Sequence, residues 1–108
     1  MPELYHIALP ADWESAQATG TYAMSTRGVA LAEEGFIHCS WAHQVEATVN
    51  RFYADVAELV LLTIDEAALD APVVDEDLYG TGETFPHVYG PIPVSAVLDS
   101  RPFHPPIS

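Results

Sequence analysis

GFIHCSWAHQVEATVNRFYA, residues 35–54, holds two periodicities side by side. Its first part, Phe36-Ile37-His38-Cys39, is a short apolar run that reads as a buried strand. Ser40 follows where the chain should turn, and is expected as the N-cap of a helix over Trp41 to Ala54. Within that helix Val45, Val49, Phe52 and Tyr53 form a core-facing stripe. The strand also carries an imidazole, which is costly to bury without partners.

Outward from this stretch the elements stay short. Leu4 to Leu9, LYHIAL, reads as a strand bounded by Pro10. ADWESAQATG reads as a helix with Asp12 as its N-cap and Gly20 at its C-terminal turn. YAMST favours neither state, and TRGVALAEEG reads as a short helix closed by Gly35. Downstream, ELVLLTID, residues 58–65, is a buried aliphatic strand and DEAALDAP a turn. VVDED suggests a short strand, and LYGTGET, residues 78–84, a mobile glycine-containing loop. FPHVYGPIPVSAVLDSRPF supplies one or two strands around a helical turn at PVSAV. Strands and helices mix without regular alternation, so the expected fold is α+β, with a curved, mostly antiparallel sheet and two or three helices. At 108 residues the chain is expected to form a single domain over 1–108.

Charge narrows the function. Sixteen acids face three bases, Arg27, Arg51 and Arg101, with no lysine and a net charge of −13. Affinity for nucleic acid grows with each phosphate neutralised by Lys or Arg, so a nucleic-acid partner is disfavoured. The acids are dispersed, as on a solvated surface. A lone cysteine, Cys39, permits no intramolecular disulfide and, among apolar neighbours, reads as an inert buried thiol. Met1-Pro2-Glu3-Leu4 lacks the basic start of a signal peptide, and no apolar run approaches the roughly 18 residues of a membrane span. A cytoplasmic protein without a membrane partner is expected; the oligomeric state is not specified.

Five histidines remain: His6, His38, His43, His87 and His104. The first, second and fourth sit in or beside expected strands, as Tyr5-His6, Ile37-His38 and Pro86-His87-Val88-Tyr89. Each reads alone as a core histidine bonded to backbone or carboxylate. No two have a tight ligand spacing on one helix face, and Cys39 should point away from His38, so no metal is expected. A third reading is a shared polar site that grips a small anion or carboxamide, because imidazole titrates near neutrality and can donate from either nitrogen. Ser40 would add backbone donors at the helix start, unless it is simply the cap. Among Tyr5, Tyr22, Tyr53, Tyr79 and Tyr89, the last is placed at the site because it neighbours His87 and the Gly90-Pro91 turn. Glu83, in the loop before His87, is the carboxylate expected to serve as base or cation stabiliser, with surface exposure as its bland alternative.

LYHIA, GFIHCS, LVLLTID and FPHVYGPIP come in the order and spacing of the bacterial family called domain of unknown function 952, and the resemblance covers about Leu4 to Phe103. That family is similar to a compact ADP-ribosyltransferase fold, a split, curved α+β sheet that binds NAD in a cleft. Tyr5-His6-Ile7-Ala8 and Phe36-Ile37-His38-Cys39-Ser40 also resemble the Tyr-His-Gly-Thr and His-Val-His-Leu-Ser segments of RNA 2′-phosphotransferases. The resemblance implies catalytic roles for His6 on ribose hydroxyls, Ser40 near nicotinamide, and Glu83 or His87 at the ribosyl cation. Tyr5, His38 and Tyr89 would line the ligand. It implies no bound cofactor but NAD as substrate, for transfer or hydrolysis at the nicotinamide-bearing carbon. Ile7-Ala8 departs from the Gly-Thr of the phosphotransferases and crowds the nicotinamide pocket. The alternative is a non-catalytic domain of the same fold that binds a small molecule or nucleotide.

Overall fold

The structure, a computed structural model, describes residues 3–78 and 80–105. Tyr79 lies outside the described residues. Ten strands and three α-helices are described: β1 (Glu3–Ala8), α1 (Pro10–Thr19), β2 (Thr21–Tyr22), β3 (Met24–Thr26), β4 (Val29–Ala30), α2 (Leu31–Glu34), β5 (Ile37–His38), α3 (Val45–Phe52), β6 (Leu59–Asp65), β7 (Val73–Glu76), β8 (Phe85–Val88), β9 (Ile92–Pro93) and β10 (Val97–Phe103). The fold is α+β with antiparallel sheets, as expected.

Two three-stranded sheets carry the architecture, in the orders β1-β6-β10 and β5-β8-β7, all antiparallel. In the first sheet, side chains alternate between two cores. Leu4, Ala8, Val60, Leu62 and Ile64 enter one core, while Ile7 and Leu59 enter a second beneath α3. Burial on both faces explains the unbroken aliphatic run of β6. The two sheets are joined by a bridge in which Tyr5 and Ser40 exchange backbone bonds of 2.8 and 2.7 Å. That bridge sets β5 beside β1.

Several local expectations are corrected. Ser40 does not cap a helix, because the chain stays extended through Trp41, which itself precedes the next turn. A 3₁₀ turn at Ala42–Gln44 follows it, and α3 begins only at Val45. Gln44 starts that turn by accepting the Trp41 N–H on its own side-chain oxygen at 2.9 Å. Val45, Val49 and Tyr53 pack as expected, but Phe52 is 53% exposed at the helix end, with the Arg51 guanidinium over its ring. Pro10 begins α1, with Leu9 before it, so Asp12 lies inside the first turn instead of capping it. Proline suits that position because its missing N–H would have no helical partner. TRGVALAEEG divides into the β3–β4 hairpin, which turns at Gly28 with φ +75°, and the single turn of α2. No helix among the described residues is long and apolar enough to cross a membrane.

Candidate functional site

β5 and β8 pair so that His38 lies directly opposite His87. On the other side of β8, β7 sets Val74 opposite His87 and Glu76 opposite Phe85. Period-two alternation therefore gathers Phe36, His38, Glu76, Phe85, His87 and Tyr89 on one face of this sheet. The opposite face sends Ile37, Cys39, Val73 and Val88 into the core. Burial raises the Cys39 thiol pKa, as befits an inert residue.

The gathered side chains form a chain of polar contacts. Glu76 Oε2 accepts from His87 Nδ1 at 2.9 Å, and His87 Nε2 meets His38 Nδ1 at 3.3 Å. The Tyr89 hydroxyl donates to the same Glu76 oxygen. Because a carboxylate only accepts, the proton between Glu76 and His87 is assigned to His87 Nδ1. His87 Nε2 is then an acceptor, His38 Nδ1 donates to it, and the lone pair of His38 stays on Nε2. Phe36 stacks on the His87 ring with centroids 4.1 Å apart and planes 21° from parallel. Phe85 lies against His38 at 5.3 Å.

Exposure is lowest in the middle of this chain. His87 is fully buried, His38 is half-buried and Tyr89 is 38% exposed. Burial, reinforced by the neighbouring His87 imidazole, pushes the His38 pKa down to about 4. The Tyr89 hydroxyl, and after it His87, holds the Glu76 carboxyl below its ordinary range. At neutral pH Glu76 is thus an anion and His38 a neutral imidazole.

The remaining expected site residues are placed differently. His6 is buried beneath β5: its Nδ1 donates to the His38 carbonyl at 2.7 Å, and its Nε2 lies 2.8 Å from the Tyr22 hydroxyl. Burial pushes its pKa down to about 4, although the bond to the carbonyl opposes the shift. Ser40 is buried in the bridge to Tyr5. The Tyr5 hydroxyl donates to Glu3, and its ring lines a depression of about 380 Å³ with Leu61, Arg101 and Phe103, apart from the histidine pair. Glu83 carries its carboxylate on the Gln44 amide at 2.9 Å, outside the chain of imidazoles. Tyr89 also lines a second depression of about 380 Å³, with Asp70, Gly90 and Pro91.

Sequence reasoning did not single out Glu76, Gln44 or Tyr22. Only the β7–β8 register brings Glu76 to His87, eleven residues away, and VVDED gives no local sign of that pairing. Among the described residues, no group of three His, Cys, Asp or Glu side chains is arranged to hold a metal ion.

Solved structures share this fold. The crystal structure of protein CC0527 from Caulobacter crescentus superposes with a TM-score of 0.79 at 32% identity, covering 93% of this chain and 84% of that one. The solution NMR structure of CC0527 gives a TM-score of 0.76 at 33% identity, covering 94% and 84%. No curated protein matches the chain. Residues 7–100 match one family model, and the chain belongs to the family described as Protein of unknown function (DUF952).

Proposed function

We propose that this protein is an enzyme acting on a small molecule, with His38 as its acid–base group and the Glu76–His87 pair as the store for the proton it takes up. The observation that carries this reading is the unbroken chain Glu76–His87–His38, with contacts of 2.9 and 3.3 Å. When His38 Nε2 accepts a proton from water or a substrate hydroxyl, the Nδ1 proton passes to His87 Nε2. The resulting imidazolium lies against the Glu76 carboxylate, so charge develops beside an opposite charge already in place. A positioned base of this kind contributes roughly 10²–10⁴-fold to rate.

The substrate class follows the ADP-ribosyltransferase resemblance: NAD or another ADP-ribosyl compound, cleaved at the ribosyl carbon. Water or an acceptor hydroxyl, deprotonated by His38, forms the new bond to that carbon. The carbon–nitrogen bond breaks, and its electron pair leaves with neutral nicotinamide. In this assignment His6 and Ser40 fix β5 from below and beside, while His38, His87 and Tyr89 form the working face. The Glu76 carboxylate lies on that face, whereas Arg27 pairs with Asp55 and Arg101 lies on β10. The pyrophosphate of such a substrate must therefore point away from the histidines.

One observation favours a non-catalytic binding domain instead: an imidazole held near a pKa of about 4 is a weak base. A thermal-shift titration with NAD, ADP-ribose, nicotinamide and inorganic phosphate, followed by an assay of nicotinamide release, separates the readings. Enzyme action predicts a shift with NAD and turnover abolished by His38→Ala. A shift without turnover selects the binding domain. No shift at millimolar concentration would sink the ADP-ribosyl substrate.

A further inference from the structure

Gln44 is a polar residue only 3% exposed, at the end of the turn that follows β5. Its side-chain oxygen accepts the Trp41 N–H at 2.9 Å. Its amide donates to the Thr84 carbonyl at 2.8 Å and to Glu83 Oε2 at 2.9 Å. From Thr84 the contacts continue: its hydroxyl donates to Asp75 Oδ2 at 2.9 Å. The other Asp75 oxygen accepts the Trp41 indole N–H, also at 2.9 Å. Gln44, Thr84, Asp75 and Trp41 thus close a ring of four hydrogen bonds.

The ring spans the three segments that carry the relay. Trp41 lies three residues beyond His38, Asp75 immediately precedes Glu76, and Thr84 immediately precedes Phe85, the register partner of Glu76. Resting on the relay proposed above, we infer that Gln44 is its positioning residue. The Gln44 amide holds the end of the β7–β8 hairpin against the turn after β5, and so keeps Glu76, His87 and His38 in contact. Asp75 and Thr84 are exposed, so the buried Gln44 amide is the member whose loss water does not readily replace. An apolar side chain of similar volume could fill the space beside Trp41 but could not donate to Thr84. A glutamate keeps the shape and reverses the chemistry, setting a carboxylate against the Thr84 carbonyl and Glu83.

The test reads the imidazoles directly, through ¹⁵N–¹H correlation spectra of histidine-labelled full-length protein at neutral pH. Wild type should show His38 and His87 each as the Nδ1–H tautomer, with His6 likewise fixed. In Gln44→Ala the His38 and His87 signals should collapse toward averaged tautomers while His6, held by Tyr22 and the His38 carbonyl, stays unchanged. Gln44→Glu should produce the same loss. Adding Glu83→Gln to it returns an amide donor to that contact and should restore the signals in part. If turnover is found, Gln44→Ala should lower it at least tenfold and shift its pH profile.

Unchanged His38 and His87 tautomers in Gln44→Ala, with only a lower melting temperature, would mean that Gln44 is structural and would overturn the inference. If that variant fails to fold, the Gln44→Glu and Gln44→Glu/Glu83→Gln pair decides: loss without restoration counts against Gln44. A wild-type His87 lacking the Nδ1–H tautomer fails differently, because it removes the relay itself.

Discussion

His6 and His87 are equally inaccessible to solvent, 2% and 0% exposed, yet their surroundings assign them different work. His6 spends both nitrogens on uncharged groups, a backbone carbonyl and a tyrosine hydroxyl. Any added charge there has no counter-ion. His87 lies between a carboxylate and a second imidazole, so it has a place from which a proton can come and an anion beside which it can stay. Burial alone therefore does not separate a structural histidine from one suited to the proton chain proposed above. The formal charge of the partners does.

The largest effect that sharpens this contrast is His6→Ala. The substitution leaves a cavity among Leu4, Tyr22 and Leu62 and strips the His38 carbonyl and Tyr22 hydroxyl of their partner. Cavity and orphaned polar groups together should cost about 3–5 kcal/mol of stability, read from urea unfolding at neutral pH. A loss below about 1 kcal/mol would mean that His6 is not the structural member of the pair.

Acidification should act in the same place. His6 and His38 are both depressed from the ordinary 6.5 to about 4 in the folded chain. Below pH 6.5 the unfolded state binds protons that the folded state refuses, so stability is fully present above pH 6.5 and falls as pH drops toward 4. The His6 share approaches about 3 kcal/mol once pH reaches its folded value. Urea midpoints should be compared at pH 7 and 4.5 in high salt, which screens the self-repulsion of the −13 surface. A flat profile across that window would remove the claim that these imidazoles are buried neutral.

Glu76→Gln inverts the expectation for His6. The amide keeps the shape but loses the anion beside His87, so unfolding midpoints should stay near wild type while the turnover that the proposed function requires falls about 100-fold. Stability loss with unaffected turnover would make His87 a second His6 and erase the distinction.

How much of this could be read in advance follows from the range of each interaction. β6 was legible because the aliphatic run Leu59–Leu62 reports burial by itself, and β1 because Pro10 bounds it. The sheet face carrying His38 and His87 was half legible: alternation in FIHC and FPHVY sets both imidazoles opposite the core. Glu76 was not, because its role depends on a hairpin register set across the loop 77–84. Glu83 drew attention by its nearness to His87 in sequence, whereas the strand pairing brings Glu76 to the imidazole instead. Ser40 misled because serine before a helical pattern resembles a cap, while pairing with Tyr5 keeps the chain extended there and the helix begins only at Val45. Gln44, reading as one more polar helical residue, became informative only through its four-residue ring.

Tyr89→Phe is the finest probe of the contrast. It deletes one of two donors to Glu76 Oε2 and keeps the ring beside Phe36. Since the Tyr89 hydroxyl is the foremost cause of the lowered Glu76 pKa, its loss should let the carboxyl titrate closer to its ordinary range. Any acid limb in the activity profile that reports Glu76 should then move to higher pH, with turnover at neutral pH changing only a few-fold, because Glu76 stays ionised there and His87 keeps its bond. The shift can be read as the Glu76 carboxyl carbon titration by NMR in wild type and variant. An upward move shows that the carboxylate is held ready for the imidazole by a second donor, a feature His6 wholly lacks. An unmoved titration would leave Tyr89 as a wall of the neighbouring depression and His87 as the sole influence on Glu76.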